Sequence, residues 1–341
     1  MEIGIFSFGD LTPHPATGQA PSPQERIGQL VELARLADDV GLDVVALGEH
    51  HRLDMVVSSP AVVLASIAQA TKRVKLSSAT TLLNTLDPVR VYEDFATLDL
   101  LSGGRAEILA GRGSFVESFA LFGYDIKDYD ALFDEKLRLL LEIARSERVT
   151  WSGRFRAPLR EAEVAPRPER PLPIWIGVGG TPESAVRAGS LGLPMNLAIL
   201  GGPERFVPFV ELHRAAAERA RHPRPALAVS SHGLIGDDPE AAREELAATW
   251  GGMMRKGLRN RFPPRHVPRE YLDLEMGPRG AFFAGGVDDV VKKIVWQQKL
   301  FGLDRILLQF DWGGVPYEKA RRSVELLGKE VAPAVRKALG A

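Results

Sequence analysis

Three short stretches concentrate residues that could do chemistry. "EHH" (Glu49-His50-His51) sets a carboxylate and two imidazoles one glycine past the apolar run "VVAL". "GRG" places Arg112 between two glycines, and "GVGGTPES" (177–184) leads from glycines into a helix start. A buried strand has no use for a carboxylate and two imidazoles together, whereas the mouth of a pocket does. Successive strand residues face opposite ways, so Glu49 and His51 share one side and His50 takes the other. That disfavours a His-x-His metal pair, and none of the seven histidines has ligand spacing with a carboxylate. No metal site is expected. His50 is the candidate for acid–base work or a hydrogen bond to a cofactor near neutral pH. The plainer alternative is a structural histidine bonded to a loop carbonyl, and for the mid-strand His232 that alternative is stronger.

In "GVGGTPES", Thr181 suits an N-cap and Pro182 the first helical position. Amides at a helix start, with no Cβ from Gly179 or Gly180 in the way, make an anion site. A plain strand–helix turn would look similar. Arg112 strengthens the anion reading, because its fork of donors matches a phosphate and its flanking glycines let it reach outward. The two loops together predict a phosphate site where the fourth and fifth strands meet.

The elements that must position these residues alternate along the chain. Strands are expected at 2–8, 43–49, 74–81, 105–111, 173–179, 195–200, 226–235 and 305–311. Helices are expected at 23–40, 60–73, 88–101, 130–146, 238–255, 287–301 and 317–338. A small hairpin is expected at 149–157, within an insertion over 149–172. Residues 9–21 read as a long loop. Residues 256–286 have no clean period and read as a lid, binding loop or interface. Continuous apolar strands imply a parallel sheet buried on both faces. Eight β/α units suit a single (β/α)8 TIM barrel with insertions, spanning 1–341. The rival, a doubly wound open sheet, would more often carry a glycine-rich turn after its first strand, where this chain has "GDLTPHPATG". Helix 88–101 is apolar on more than one face (Val89, Val91, Phe95, Leu98, Leu100, Leu101), which predicts a homodimer with Val91 turned outward.

Composition sets the outer limits. The 341 residues carry a formal net charge of -1, which argues against a dedicated nucleic-acid or membrane-surface binder. The absence of cysteine excludes disulfides, thiolate metal sites and Cys nucleophiles. No run approaches 18 apolar residues, and the first residues lack a signal-peptide pattern, so a cytoplasmic protein is expected.

The chain resembles the bacterial luciferase-like flavin-dependent monooxygenases over nearly its whole length. The resemblance is carried by "EHH", by "SSATTLLNTLDPVRVYEDFATLDLLSGGRAEILAGRG" (77–113), by "PIWIGVGGTPESA" (173–185), by "GLPM" (192–195) and by "LLQFDWGGVPYEKARRSVELLGKEVAP" (307–333). It implies an FMN-using barrel in which His50 lies at the flavin ring. It also implies that Ala79 and Thr80 form a non-proline cis peptide beneath that ring. Arg112, with Gly179, Gly180 and Thr181, would hold the phosphate. Reduced FMN would then arrive from a separate NAD(P)H-dependent flavin reductase and react with O2 to oxidise a small-molecule substrate. The reactive cysteine of the luciferases has no counterpart here. Three other readings stay open: an FMN- or deazaflavin-dependent reductase or dehydrogenase, a non-catalytic flavin carrier, and a metal hydrolase.

Overall fold

The computed structural model describes residues 1–113, 115–256 and 266–340. Eight parallel strands form its centre: β1 (Glu2–Ser7), β2 (Val44–Leu47), β3 (Lys75–Ser78), β4 (Ala106–Gly111), β5 (Ile174–Val178), β6 (Met195–Ala198), β7 (Leu227–Ile235) and β8 (Arg305–Gln309). Each pairs with the next in parallel, β8 pairs with β1, and β7 pairs with both β6 and β8, so the sheet closes. This is the expected (β/α)8 barrel rather than an open sheet.

Strand alternation divides the side chains into two sets. Ile3, Ile5, Val45 and Leu47 point outward into the large core shared with the surrounding helices. The inward positions stack in layers. At the bottom, the Arg305 guanidinium lies 4.4 Å from the Trp175 ring centre and donates to Glu107 (2.6 Å) and Glu2 (2.7 Å). Phe6, Val44, Ala46 and Leu307 form an apolar layer, and Leu109 packs with Trp175 and Ala228. A buried ion network and these apolar layers plug the barrel from below. Within the barrel, this leaves the C-terminal mouth to receive a ligand.

Local sequence signals account for the helices. Helix Pro23–Asp39 opens with a capping box between Ser22 and Glu25. Helix Pro88–Ser102 is capped by Asp87, whose side chain accepts from the Val89 amide at 2.8 Å. It ends where Gly103 takes the left-handed conformation (φ 68°). In this helix Val91 faces inward and is only 3% exposed, contrary to expectation. The apolar residues that face outward are Leu100 (48%) and Leu101 (51%).

Other details differ from the sequence reading. The hairpin is longer, Arg148–Trp151 against Leu159–Glu163. Between the fourth strand and the helix Tyr129–Arg145 lies a short helix, Glu117–Leu121. The segment expected to be irregular holds a helix, Arg269–Met276, and a strand, Phe283–Gly285, that extends the sheet beside β7. Apolar side chains at Leu272 and Met276 anchor that helix in the core. Residues 257–265 of the same segment lie outside the described residues. No helix among the described residues is long and apolar enough to cross a membrane.

Candidate active site

The mouth is built from small residues on one side and rings on the other. The peptide bond between Ala79 and Thr80 is cis, just past β3. The Thr80 side chain fills the space that a Cβ at Gly111 would need, with its Oγ1 2.6 Å from that position. Its methyl also comes within 2.9 Å of a Cβ built at Gly177. Glycine on β4 and β5 is therefore what lets the turn after β3 tuck into the barrel. The Thr80 carbonyl accepts from the Glu49 amide at 3.0 Å.

Glu49 is a clamp for this turn. Its carboxylate is buried and accepts from the Leu82 amide (2.9 Å) and contacts His51 Nε2 (2.7 Å). Glu49 and His51 thus share a side and His50 takes the other, although all three lie past the end of β2. The His50 ring stands edge-on to Phe8 (4.9 Å between centres) and Phe115 (5.1 Å). Its Nδ1 lies 3.4 Å from the Gly48 carbonyl, too long for a strong bond. Burial among these rings pushes the His50 pKa down to about 4. At neutral pH the imidazole is therefore uncharged, with one nitrogen able to donate and the other to accept.

On the opposite side of the mouth, β4 and β5 are neighbours, with Ile108 in register with Ile174. Arg112, one residue past β4, reaches the helix Pro182–Ser190 that follows β5. It donates to Thr181 Oγ1 and, at 2.7 Å, to Ser184 Oγ. The two hydroxyls are 3.0 Å apart. Thr181 is the N-cap residue, but its side chain makes no capping bond and is turned to Arg112 instead. Pro182 has no N–H to offer, and the Ser184 amide donates to the Thr181 carbonyl at 3.0 Å. A Cβ built at Gly179 or Gly180 meets nothing within 4 Å, so the loop borders open space. The donors and the space fit a phosphate: a guanidinium and two hydroxyls beside an open glycine loop. Arg112 also pairs with the exposed Asp130, a partner that an incoming phosphate must displace.

Four contributors escaped the sequence reading. Ser184 lies three residues after Thr181, on the same side of the first turn, a spacing that would have revealed it. Tyr129 lies under the Arg112 guanidinium (5.1 Å) and donates its hydroxyl to the Gly113 carbonyl (2.6 Å). Phe8 and Phe115 desolvate His50 from loops with no local signal. Among the described residues, no group of three or more His, Asp or Glu side chains could hold a metal ion.

A parallel barrel whose mouth joins a phosphate-type cradle to a neutral, ring-packed histidine defines a class of cofactor-dependent enzymes. The chain belongs to the luciferase-like monooxygenase family, whose model matches residues 1–285. The 4-hydroxyprotoasukamycin monooxygenase of Streptomyces nodosus subsp. asukaensis is 27% identical, covering 96% of this chain and 92% of that one. An F420-dependent glucose-6-phosphate dehydrogenase of Amycolatopsis mediterranei is 33% identical over about half of each chain (48% and 51%). The crystal structure of monooxygenase RslO1 from Streptomyces bottropensis superposes with a TM-score of 0.84 at 26% identity, covering 98% of this chain and 99% of that one. The oxygenating constituent of 3,6-diketocamphane monooxygenase of Pseudomonas putida, solved with FMN, superposes at 0.78 with 20% identity over 98% of each chain. This last likeness speaks to fold alone. The family includes flavin monooxygenases and F420-dependent dehydrogenases, and the chain is an oxidoreductase of this luciferase-like type.

Proposed function

We propose that the protein is a monooxygenase that uses reduced FMN and O2 to oxidise a small organic substrate. The observation that carries this reading is the Arg112–Thr181–Ser184 cradle at the ends of β4 and β5, with the Ala79–Thr80 turn packed beside it through Gly111 and Gly177. Reduced FMN bound there would supply the two electrons that activate O2. Arg112, Thr181 and Ser184 hold its phosphate. Ala79 and Thr80 provide a floor for its ring, and Glu49 keeps that floor in place. Neutral His50 donates or accepts a proton beside the ring, and the Phe8 and Phe115 rings exclude water from it.

Reduced flavin would come from a separate NAD(P)H-dependent reductase in the cytoplasm. The test is incubation with FMN, NADH, a flavin reductase, 18O2 and a panel of small organic compounds. Incorporation of 18O into one compound, dependent on this protein, is the expected result. Loss of all NADH electrons to hydrogen peroxide, whatever the compound, would overturn it.

A second reading is an F420-dependent dehydrogenase, favoured by the similarity to the Amycolatopsis mediterranei enzyme. Tighter binding of F420 than of FMN, with hydride transfer and no O2 consumption, would establish that alternative.

A further inference from the structure

Across the barrel from the phosphate cradle, the ends of β1, β7 and β8 hold a second concentration of polar groups that the chemistry above does not use. His232, on β7, is 3% exposed, and its Nδ1 is buried without a hydrogen-bond partner. Trp312, just past β8, is 5% exposed, and its Nε1–H is likewise buried and unpartnered. The two rings stack with centres 5.6 Å apart. Gln309 is the register partner of His232 and is fully buried. Its Nε2 donates to Asp311 Oδ1 at 3.1 Å, which turns Oε1 the other way, and Oε1 has no partner. A donor (Trp312), an acceptor (Gln309) and an imidazole nitrogen of His232, all buried and unmet, cost stability unless a ligand satisfies them.

The surroundings are aromatic. Phe8 packs edge-on against Trp312 (5.3 Å) and also against His50 (4.9 Å), so the cluster is continuous with the proposed reaction centre. Trp250 and Phe282 flank His232 on its far side, 4.8 Å and 6.4 Å away between centres. Trp312 is held from behind. Arg26 pairs with Asp311 at 2.6 Å, and the Gly313 amide donates to Asp10 at 3.2 Å. Burial keeps His232 uncharged, pushing its pKa down to about 3, so a cationic or anionic ligand finds no counter-charge on that ring.

We infer that this end of the mouth is the substrate subsite and that it takes a hydroxylated aromatic ring. The phenolic oxygen accepts from Trp312 Nε1–H, and its proton is donated to Gln309 Oε1. The His232 and Phe8 rings supply stacking and edge contacts. An alcohol on an aliphatic skeleton would satisfy the polar atoms and forfeit the ring contacts. A plain hydrocarbon ring would leave the polar atoms unmet. The inference names the substrate class for the monooxygenase reading and rests on it for what happens to the ring once bound. The binding itself requires no flavin.

Calorimetric titration with 4-methylphenol and with toluene, on the protein with and without saturating FMN, tests it. The wild type should prefer 4-methylphenol by about tenfold or more, the scale of one buried hydrogen bond. Trp312→Phe and Gln309→Leu should each lower that preference about tenfold and leave the FMN titration unchanged. Equal binding of the two ligands by the wild type, or no binding of 4-methylphenol, overturns the inference without any variant. So does a preference that survives both substitutions in folded protein. If 4-methylphenol is preferred and FMN does not bind, the subsite stands and the FMN reading falls.

Discussion

His50 shows how a single residue takes its character from its neighbours. In water an imidazole titrates near neutrality, and here burial between Phe8 and Phe115 holds its pKa near 4. Its ring proton resonances should therefore stay flat in NMR between pH 8 and about pH 5. A shift centred near 6.5 would contradict the packing described. His50→Ala should lower turnover by roughly 10²–10⁴, the range for a lost acid–base group, and change FMN affinity far less. Asp130 makes the opposite case. Its carboxylate pairs with Arg112 where a phosphate would sit. Asp130→Asn should tighten FMN binding several-fold in fluorescence titrations and leave riboflavin unchanged, because like charges at a shared partner repel. The type and place of His50 and Arg112 were legible in the sequence because strand ends and flanking glycines announce them. Their partners were not. Phe8, Tyr129 and Asp130 come from distant loops or helix starts, and only the closed barrel brings them to the site.

At the scale of elements, strand after strand was legible because each is an apolar run bounded by turn residues. The ends were less so: β2 stops at Leu47, two residues short of the expected end. Helix Arg269–Met276 was missed because its apolar residues are few and flanked by Pro and Gly. The face of helix Pro88–Ser102 was misjudged at Val91. Alternative apolar stripes overlap there, and tertiary packing chose the one containing Tyr92, Phe95 and Leu98. The element that matters most for the site is the turn from Ala79 to Leu82, held by Glu49. Glu49→Ala removes a buried carboxylate that accepts from the Leu82 amide. It should lower stability by about 1.5–3 kcal/mol in urea unfolding, the cost of losing a charged buried hydrogen bond. FMN affinity should fall with it. Unchanged stability would mean that the turn stands without its clamp.

For the whole molecule, buried titratable groups set the response to acid. His50 and His232 have native pKa values near 4 and 3, below the ordinary 6.5. Asp10 is shifted the other way, to about 6, by burial. Between pH 6 and 4 the unfolded chain holds about two histidine protons that the native histidines lack, while the native protein holds about one, on Asp10, that the unfolded chain largely lacks. Net stability should therefore fall by about 1.4 kcal/mol per pH unit as acid is added across that window. Denaturant midpoints at pH 6, 5 and 4 measure this. Leu100 and Leu101 are exposed on helix Pro88–Ser102, and we propose that they lie in a homodimer interface. Leu100→Arg should halve the mass seen in light scattering, and a wild type that is monomeric at micromolar concentration would rule the dimer out. The central claim, that the mouth holds FMN by its phosphate at Arg112, Thr181 and Ser184, is tested most directly by titrating FMN and riboflavin into the wild type and Arg112→Ala. FMN binding should weaken by about 1.5–3 kcal/mol in the variant, with riboflavin hardly affected. Equal loss for both ligands, or no loss for either, would contradict it.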